Sequence, residues 1–310
     1  MIVGGGTLLK KLKAGDKYGH FGYIFTAPFF ITLLIFNIYP MMFTVVMSFF
    51  KWDGSTTAAE FIGLANFAEL LKDGLFYQTI ANTFFIYFFN VVPQMVFAVI
   101  IAAILADNFS TIKGKGFFRA IYYLPNLVTM ASVGVLFYYI MDWQTGSLNK
   151  ILVGLNVLTE NFNWLQDPTA TRFTISFIQF WMWFGYSMII FMSGIKAIPD
   201  DIYEAARVDG ANRWQTFWRI TLPSIKGSII YNIVTSVIGG LAMFDVPYVI
   251  TGGSGAPMDK AYTMVNYMYN MMVKNYNYGY GATIYVGMFL VILVFAGLAF
   301  KLLDKNMGKV

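Results

Sequence analysis

Six long apolar runs dominate the pattern of hydrophobic and polar positions along the chain. They cover about 21–50, 80–106, 117–140, 173–195, 229–250 and 280–300. Each run is about as long as the ~20 residues that an α-helix needs to cross a bilayer, or longer. Strands of a membrane barrel would be about 10 residues long with alternating polarity. The pattern therefore predicts an all-α integral membrane protein with six transmembrane helices in a single domain, residues 1–310.

The first run has a basic flank, like a signal peptide. It is about twice as long as the apolar region of a signal peptide, and no small-x-small cleavage pattern follows it. We therefore expect a retained transmembrane helix.

Composition agrees with this pattern. Hydrophobic residues make up 58% of the 310 residues and charged residues only 12%, against about 25% in soluble domains. The mean hydropathy is +0.61. The composition excludes a disordered chain and a nucleic-acid-binding protein, and it disfavours an ordinary soluble enzyme because too few polar residues remain to cover a globule.

The charged residues predict how the helices are oriented. If the N-terminus is cytoplasmic, the cytoplasmic segments carry 15 Lys and Arg residues and the external loops carry 6. Basic residues concentrate on the cytoplasmic side of membrane proteins. Both termini are thus predicted to be cytoplasmic, in a multi-pass protein of the cell membrane, and the net charge of +5 reflects this topology.

The sequence carries no recognisable catalytic or cofactor-binding constellation. It has no cysteine, and its one histidine, His20, is predicted to face solvent or lipid headgroups. The glycine-rich stretch 252–255 lacks the Lys-Ser/Thr of a phosphate-binding loop and is predicted to be a turn. We expect no catalytic residue, no metal site and no cofactor in this chain.

The longest predicted cytoplasmic loop, residues 196–226, has the pattern of two short helices joined at a glycine; we call it the elbow. Pro199 followed by two aspartates is typical of a helix start, and the first helix is predicted over Asp201–Val208. Gly210 is expected to end it with a positive φ. A second, amphipathic helix is predicted over Ala211–Thr221. By its residues alone, the elbow either lies on the bilayer surface or receives a partner protein.

The elbow resembles the EAA motif of the permeases of binding-protein-dependent ABC importers. The matching positions are Glu204-Ala205-Ala206, Gly210, Ile220 and Leu222-Pro223. The resemblance implies a type I ABC importer permease-like fold, in which the elbow forms cytoplasmic coupling helices that dock into a groove of an ATPase subunit. It implies that the coupling residues are Glu204, Ala205, Ala206, Asp209 and Gly210, and that Leu222 and Pro223 fix the angle of entry into span five.

Further segments resemble the carbohydrate-uptake branch of that family, the group of the larger maltose and the glycerol-3-phosphate permease subunits. They are Tyr39-Pro40, 48–54, 61–67, Tyr123-Leu124-Pro125, and Thr251-Gly252-Gly253 ahead of Pro257. This resemblance implies import of an oligosaccharide or related carbohydrate, with a polyol, a glycerol phosphodiester or another solute as alternatives. The implied partners are a second homologous permease subunit, two ATPase subunits that bind ATP and Mg, an external solute-binding protein and the lipid bilayer, but no nucleic acid.

A stand-alone secondary carrier or channel is the alternative from another class of function. The spans lack the paired carboxylates, lysines or histidines of a proton relay, which disfavours a proton-driven carrier.

A sugar pathway needs neutral hydrogen-bonding groups and aromatic faces, and the spans supply several. The candidates are Asn82, Asn90, Gln94, Asn126, Gln179, Tyr186 and Asn232, together with Asp245, the only acid inside a predicted span. Alternatively, each neutral group bonds a neighbouring helix, and Asp245 reaches headgroups or an external cavity. The outer stretch Tyr262–Tyr280, dense in Tyr, Met and Asn, is predicted to be an interfacial aromatic belt or a docking surface for the external binding protein.

Overall fold

The computed structural model describes residues 19–55, 58–106 and 113–304, which are mostly helical. The N-terminal lysines between residues 10 and 17, Lys305, Lys309 and the side chain of His20 lie outside this description, so the predictions that rest on them stay predictions.

Five segments of the described chain are long and apolar enough to cross a membrane, and a bent pair of helices makes a sixth candidate. The five are Phe21–Met47, Gly74–Ala106, Pro168–Lys196, Lys226–Thr251 and Tyr278–Leu302. They coincide with predicted runs one, two, four, five and six, which confirms the all-α membrane fold. The first span ends at Met47, earlier than predicted, and the second begins at Gly74, also earlier than predicted.

The helices and strands are numbered in chain order. They are α1 (Gly19–Leu33, a π-helical turn Leu34–Ile38, and Tyr39–Met47), β1 (Phe50–Lys51), β2 (Glu60–Phe61), α2 (Ala65–Leu70), α3 (Gly74–Ala106), α4 (Lys115–Tyr123, followed by a 3₁₀ turn Leu124–Leu127), α5 (Met130–Ile140), α6 (Ser147–Gly154), α7 (Pro168–Lys196), α8 (Asp200–Val208), α9 (Arg213–Thr216, a π-helical turn Phe217–Thr221, and Leu222–Ser224), α10 (Lys226–Leu241), α11 (Asp245–Thr251), α12 (Met264–Tyr269, then a π-helical turn Asn270–Lys274) and α13 (Tyr278–Asp304).

The third predicted span, 117–140, is not one helix. α4 with its 3₁₀ turn is bent by 93° against α5. Pro125 lies in the 3₁₀ turn and has no amide hydrogen for a helical bond, and Val128 is extended with φ −88° and ψ 144°. Apolar composition alone could not reveal this bend, because the run stays hydrophobic through it.

The fifth span is interrupted between α10 and α11. Phe244 has φ −130° and ψ −60°, outside the helical region. Asp245 is the first residue of α11, and its side chain is exposed. Asp245 therefore lies at a helix start, and not inside a continuous span near its outer end as the sequence suggested.

The core of the bundle is the long contact between α3 and α7. Small residues of α3, Ala98 and Ala102, face large residues of α7, Met188 and Phe191, and all four are buried. Close to this contact, Gly185 of α7 meets the backbone of α4, because an added Cβ there would overlap the carbonyl oxygen of Tyr122. Small side chains allow such close helix packing in membranes.

At the end of the bundle opposite the elbow, residues 48–73 and 252–277 form a compact cap. β1 and β2 pair antiparallel, with Phe50 opposite Phe61. The side-chain amide of Asn66 donates to the carbonyl oxygens of Ser48 and Phe50, at 3.0 Å each, and ties the hairpin to the end of α1.

Candidate functional site

The first arm of the elbow is a short helix stabilised by its own charges. Pro199 precedes α8, Asp200 and Asp201 occupy the first turn, and Arg207 lies in the last turn. Acids at the N-terminus and a base at the C-terminus complement the helix dipole. The predicted helix is confirmed, and it begins one residue earlier than expected.

Gly210 reverses the chain between the two arms. Its φ is +78°, as predicted. The Gly210 amide donates to the carbonyl of Arg207 at 3.1 Å, and the Ala211 amide donates to that of Ala206 at 2.9 Å. These two bonds make a Schellman motif. A residue such as alanine at this left-handed position costs about 1–2 kcal/mol, so glycine favours the corner.

The second arm starts with a capping box. The Gln215 amide donates to Asn212 Oδ1, and the Asn212 amide donates to Gln215 Oε1, each at 2.9 Å. α9 then continues through Pro223 to Ser224. The predicted end at Leu222-Pro223 is therefore wrong: the proline follows a π-helical turn inside the helix, and the break comes at Ile225.

A side-chain hydrogen bond fixes the angle between the arms. The hydroxyls of Tyr203 in α8 and Thr221 in α9 lie 3.2 Å apart. Thr221 is buried, and so is Ile225, which packs with the ends of α3 and α7. The elbow is thus anchored to the membrane helices as one rigid piece.

The elbow presents a surface that the other described residues leave open. Of the predicted coupling residues, Glu204, Ala205, Asp209 and Gly210 are exposed, whereas Ala206 is buried. Three large apolar side chains join this surface with exposed fractions of 87%, 70% and 49%: Val208, Trp214 and Trp218. Exposed apolar groups on a rigid scaffold are typical of a protein interface.

Some of the predicted pathway residues form a buried polar network between three helices. Gln94 of α3 donates to Ser187 Oγ of α7 at 2.8 Å, and that hydroxyl donates to Asn232 Oδ1 of α10 at 3.2 Å. All three side chains are buried. Sequence reasoning named Gln94 and Asn232 but missed Ser187, because a lone serine in an apolar helix carries no distinctive signal.

The other polar candidates differ in their surroundings. Asn82 donates to the carbonyls of Asp259 at 2.7 Å and Tyr262 at 3.1 Å, so it ties α3 to the cap. Asn90 Oδ1 and Gln179 Oε1 are buried without a hydrogen-bond partner within the described residues. Tyr186 is half-buried, with its ring 5.8 Å from that of Trp183. The structure therefore does not gather these residues into one site.

A carboxylate that the sequence did not single out organises the cap. Asp73, just before α3, accepts hydrogen bonds from the hydroxyls of Tyr267 at 2.5 Å and Tyr280 at 2.7 Å, and from the amides of Leu75 and Phe76. Burial raises the pKa of the Asp73 carboxyl, but these hydrogen bonds outweigh burial and hold the pKa below its ordinary value of 3.8.

We expect Asp73→Asn to lower the melting temperature of the protein at pH 7, at a cost of about 1–2 kcal/mol. Because the folded-state pKa lies below the unfolded value of about 3.9, the carboxylate stabilises the fold above about pH 4, and this contribution is lost as the pH falls through the folded-state pKa. The difference between wild type and variant should therefore narrow in acid. Thermal unfolding in detergent at pH 7 and in acid measures both effects. Glu69→Gln, which removes an exposed carboxylate nearby, is the control. An equal loss of stability in the two variants would show that the hydrogen bonds of Asp73 do not stabilise the cap.

The sequence suggested that the stretch Tyr262–Tyr280 is an interfacial aromatic belt or a docking surface. The structure buries part of this stretch, so neither description fits all of it. Tyr262, Tyr267 and Tyr280 are buried within the cap, and Tyr276 is exposed. A tyrosine-rich stretch has the same composition whether its hydroxyls meet water or a buried carboxylate, so the sequence could not distinguish the two.

Among the described residues, no group of three or more His, Cys, Asp or Glu side chains is placed to hold a metal ion.

Comparison with known proteins places the chain among membrane transport components. Residues 18–309 match the family described as "Binding-protein-dependent transport system inner membrane component". The chain is 32% identical to the probable ABC transporter permease protein YurN of Bacillus subtilis strain 168, over 90% of this chain and 94% of that protein.

The names of two other relatives include a transported sugar. The chain is 31% identical to the lactose transport system permease protein LacF of Rhizobium radiobacter, over 90% of this chain and 91% of that protein. It is also 31% identical to the arabinooligosaccharides transport system permease protein AraP of B. subtilis strain 168, over 93% of this chain and 90% of that protein.

The fold resembles a chain in the crystal structure of a bacterial alginate ABC transporter in complex with an alginate pentasaccharide-bound periplasmic protein. The TM-score is 0.80, with 93% of this chain and 96% of that chain covered. At 23% sequence identity, this likeness concerns the fold alone.

Proposed function

Because the chain belongs to the family of binding-protein-dependent transport system inner membrane components, we propose that it is a membrane subunit of an ATP-driven importer for an oligosaccharide or related carbohydrate. In this proposal the chain contributes the pathway and the mechanical coupling. ATP, with Mg, is bound and hydrolysed by two separate cytoplasmic ATPase subunits.

The observation that carries the coupling role is the geometry of the elbow. Its two arms are capped, joined at a left-handed glycine and anchored by Ile225 beneath α3 and α7. A rigid segment of this kind transmits a push from an ATPase subunit to the helices that it touches. The exposed Glu204, Ala205, Asp209 and Gly210 supply the contact in this proposal, while buried Ala206 supports the corner from within.

The carbohydrate assignment is supported by the relatives LacF and AraP and by the chemistry of the interior. Neutral amides and hydroxyls, such as Gln94, Ser187 and Asn232, can bond sugar hydroxyls without a fixed charge. Asp245 is exposed at the break between α10 and α11, where it would face solute in a pathway formed with another subunit.

A second, homologous permease subunit is supported by the position of α1. None of the residues in the most apolar window of Phe21–Met47 is buried against the rest of the described chain. Thr26, Thr32 and Thr44 of this helix each bond a carbonyl of their own helix, which leaves its faces apolar. The most apolar part of α1 is therefore available to a partner within the bilayer. In this proposal both chain termini lie in the cytoplasm.

We expect uptake to require the complete assembly. Proteoliposomes that contain this chain, its partner permease, the ATPase subunits and the binding protein should accumulate labelled oligosaccharide only when ATP is enclosed with the ATPase subunits. An ATPase variant without hydrolysis is the control. Uptake by this chain alone, driven by an ion gradient, would instead identify a secondary carrier; ATP-driven uptake of polyols or glycerol phosphodiesters but not of sugars would correct the substrate and leave the importer intact.

A further inference from the structure

Helix α4 runs across the bundle, and its basic N-terminal end lies on the elbow side. α5 packs along α7, with the Phe137 ring 6.0 Å from Phe177 and 5.7 Å from Trp181, and α4 stands at 93° to α5. α4 begins at Lys115, nine residues after Ala106, the last residue of α3, and Ala106 packs in one cluster with Ile195 and Ile225 at the elbow end of the bundle. The basic N-terminal end of α4 therefore follows α3 on the elbow side, whereas Tyr122 near its other end packs at Gly185, 11 residues before the end of α7.

The two faces of α4 differ in chemistry. Phe117 and Ile121 are four residues apart, share one face, and have exposed fractions of 67% and 47%. Lys115 and Arg119, also four residues apart, share a different face. An exposed apolar face beside a basic face is typical of a helix that lies in the membrane interface, with the apolar side among acyl chains and the basic side at the headgroups.

The guanidinium of Arg119 has an N–H group without a hydrogen-bond acceptor among the described residues. This group is the Nε–H, and it is buried. A guanidinium remains charged in proteins, and a buried N–H without an acceptor is costly. The position therefore favours a nearby anion, and the exposed Lys113, two residues before α4, adds to the positive charge there.

We propose that Lys113, Lys115 and Arg119 bind the phosphate group of an anionic phospholipid whose acyl chains cover Phe117 and Ile121. The basic face suits the phosphate group of a lipid, and the apolar face suits its acyl chains. An acidic side chain of a protein partner or a free phosphate would satisfy Arg119 but would leave the adjacent apolar face without a role. The site is separate from the elbow and does not depend on which solute is imported.

The test is phospholipid binding to the assembled transporter, measured by native mass spectrometry as phosphatidylglycerol is titrated against phosphatidylcholine. Each removed basic residue is expected to lower phosphatidylglycerol binding about fivefold. The triple variant Lys113→Gln, Lys115→Gln, Arg119→Gln should therefore lose about a hundredfold. Arg119→Lys, which keeps the charge but not the planar donor fork, should lose part of the binding.

A charge-matched triple variant in the cap, Lys51→Gln, Lys72→Gln, Lys260→Gln, is the control and should keep the tightest phosphatidylglycerol site. Equal losses in the two triple variants, or no loss in the α4 variant, would overturn the proposal. Competition by inorganic phosphate at millimolar concentration would identify a free-phosphate site instead. Release of an ATPase subunit from the α4 variant with unchanged lipid binding would identify a protein contact, and that outcome would also overturn it.

Discussion

Replacing Gly210 with tryptophan is expected to abolish transport while the protein remains folded in the membrane. The residue is exposed at the corner of the elbow, and a Cβ added to it would have no heavy atom within 4 Å, so the indole would project into the space that an ATPase subunit occupies in the proposed assembly. Loss of a central interface contact costs about 2–4 kcal/mol, which corresponds to a transport rate reduced about 30-fold to 1,000-fold.

Two alanine variants separate bulk from backbone strain in this experiment. Gly210→Ala and Gly114→Ala impose the same left-handed strain, since the φ angles are +78° and +76° and neither position is crowded. Both should transport at rates within a few-fold of wild type, because the strain costs only about 1–2 kcal/mol. Normal uptake by Gly210→Trp would show that the elbow corner is not a docking surface.

Replacing Gly185 with alanine is expected to destabilise the membrane domain by about 3 kcal/mol, the upper end of the usual cost of overpacking. The added methyl group would overlap the carbonyl oxygen of Tyr122, and backbone cannot move aside as a side chain can. α4 would have to separate from α7. The apparent melting temperature of the purified chain in detergent should fall clearly below that of wild type.

Gly239→Ala is the matched control, and it is expected to leave the stability unchanged or to raise it. Gly239 lies inside α10 with nothing near its added Cβ, and alanine is favoured over glycine in a helix by about 1 kcal/mol. Its melting temperature should stay the same or rise. If Gly185→Ala were as stable as wild type, the close packing of α4 on α7 would be incorrect.

Most of the membrane fold could be predicted from the chain, because the bilayer imposes long apolar helices. The spans that end in Ala106 and Lys196 were placed within a few residues at those ends. Pro125 and Pro247 are residues at which a helix can kink, but neither the 93° bend after Pro125 nor the break at Phe244 follows from these prolines alone. Interruptions of a helix are decided by backbone geometry and by neighbouring helices, which composition does not record.

The elbow was predictable in detail because local chemistry determines it. Pro199, two acids and Gly210 specify a helix and its left-handed end with few neighbours involved. The Asp73 cluster and Ser187 were missed for the opposite reason: their partners lie far away along the chain, and only the fold brings them together. Ala206, which the motif marks as a contact residue, is buried in the fold, and the motif alone does not reveal this.

The most direct test of the coupling role is a cross-link from the tip of the elbow. The chain has no cysteine, so Val208→Cys, at a position that is 87% exposed, can carry a single benzophenone maleimide in the assembled transporter. Leu71→Cys, at a 71% exposed position in the cap, is the control. We expect light to join the residue 208 variant to an ATPase subunit and the residue 71 variant to none. Labelling of the residue 208 variant from outside intact cells by a membrane-impermeant thiol reagent, without any ATPase adduct, would contradict the proposed role.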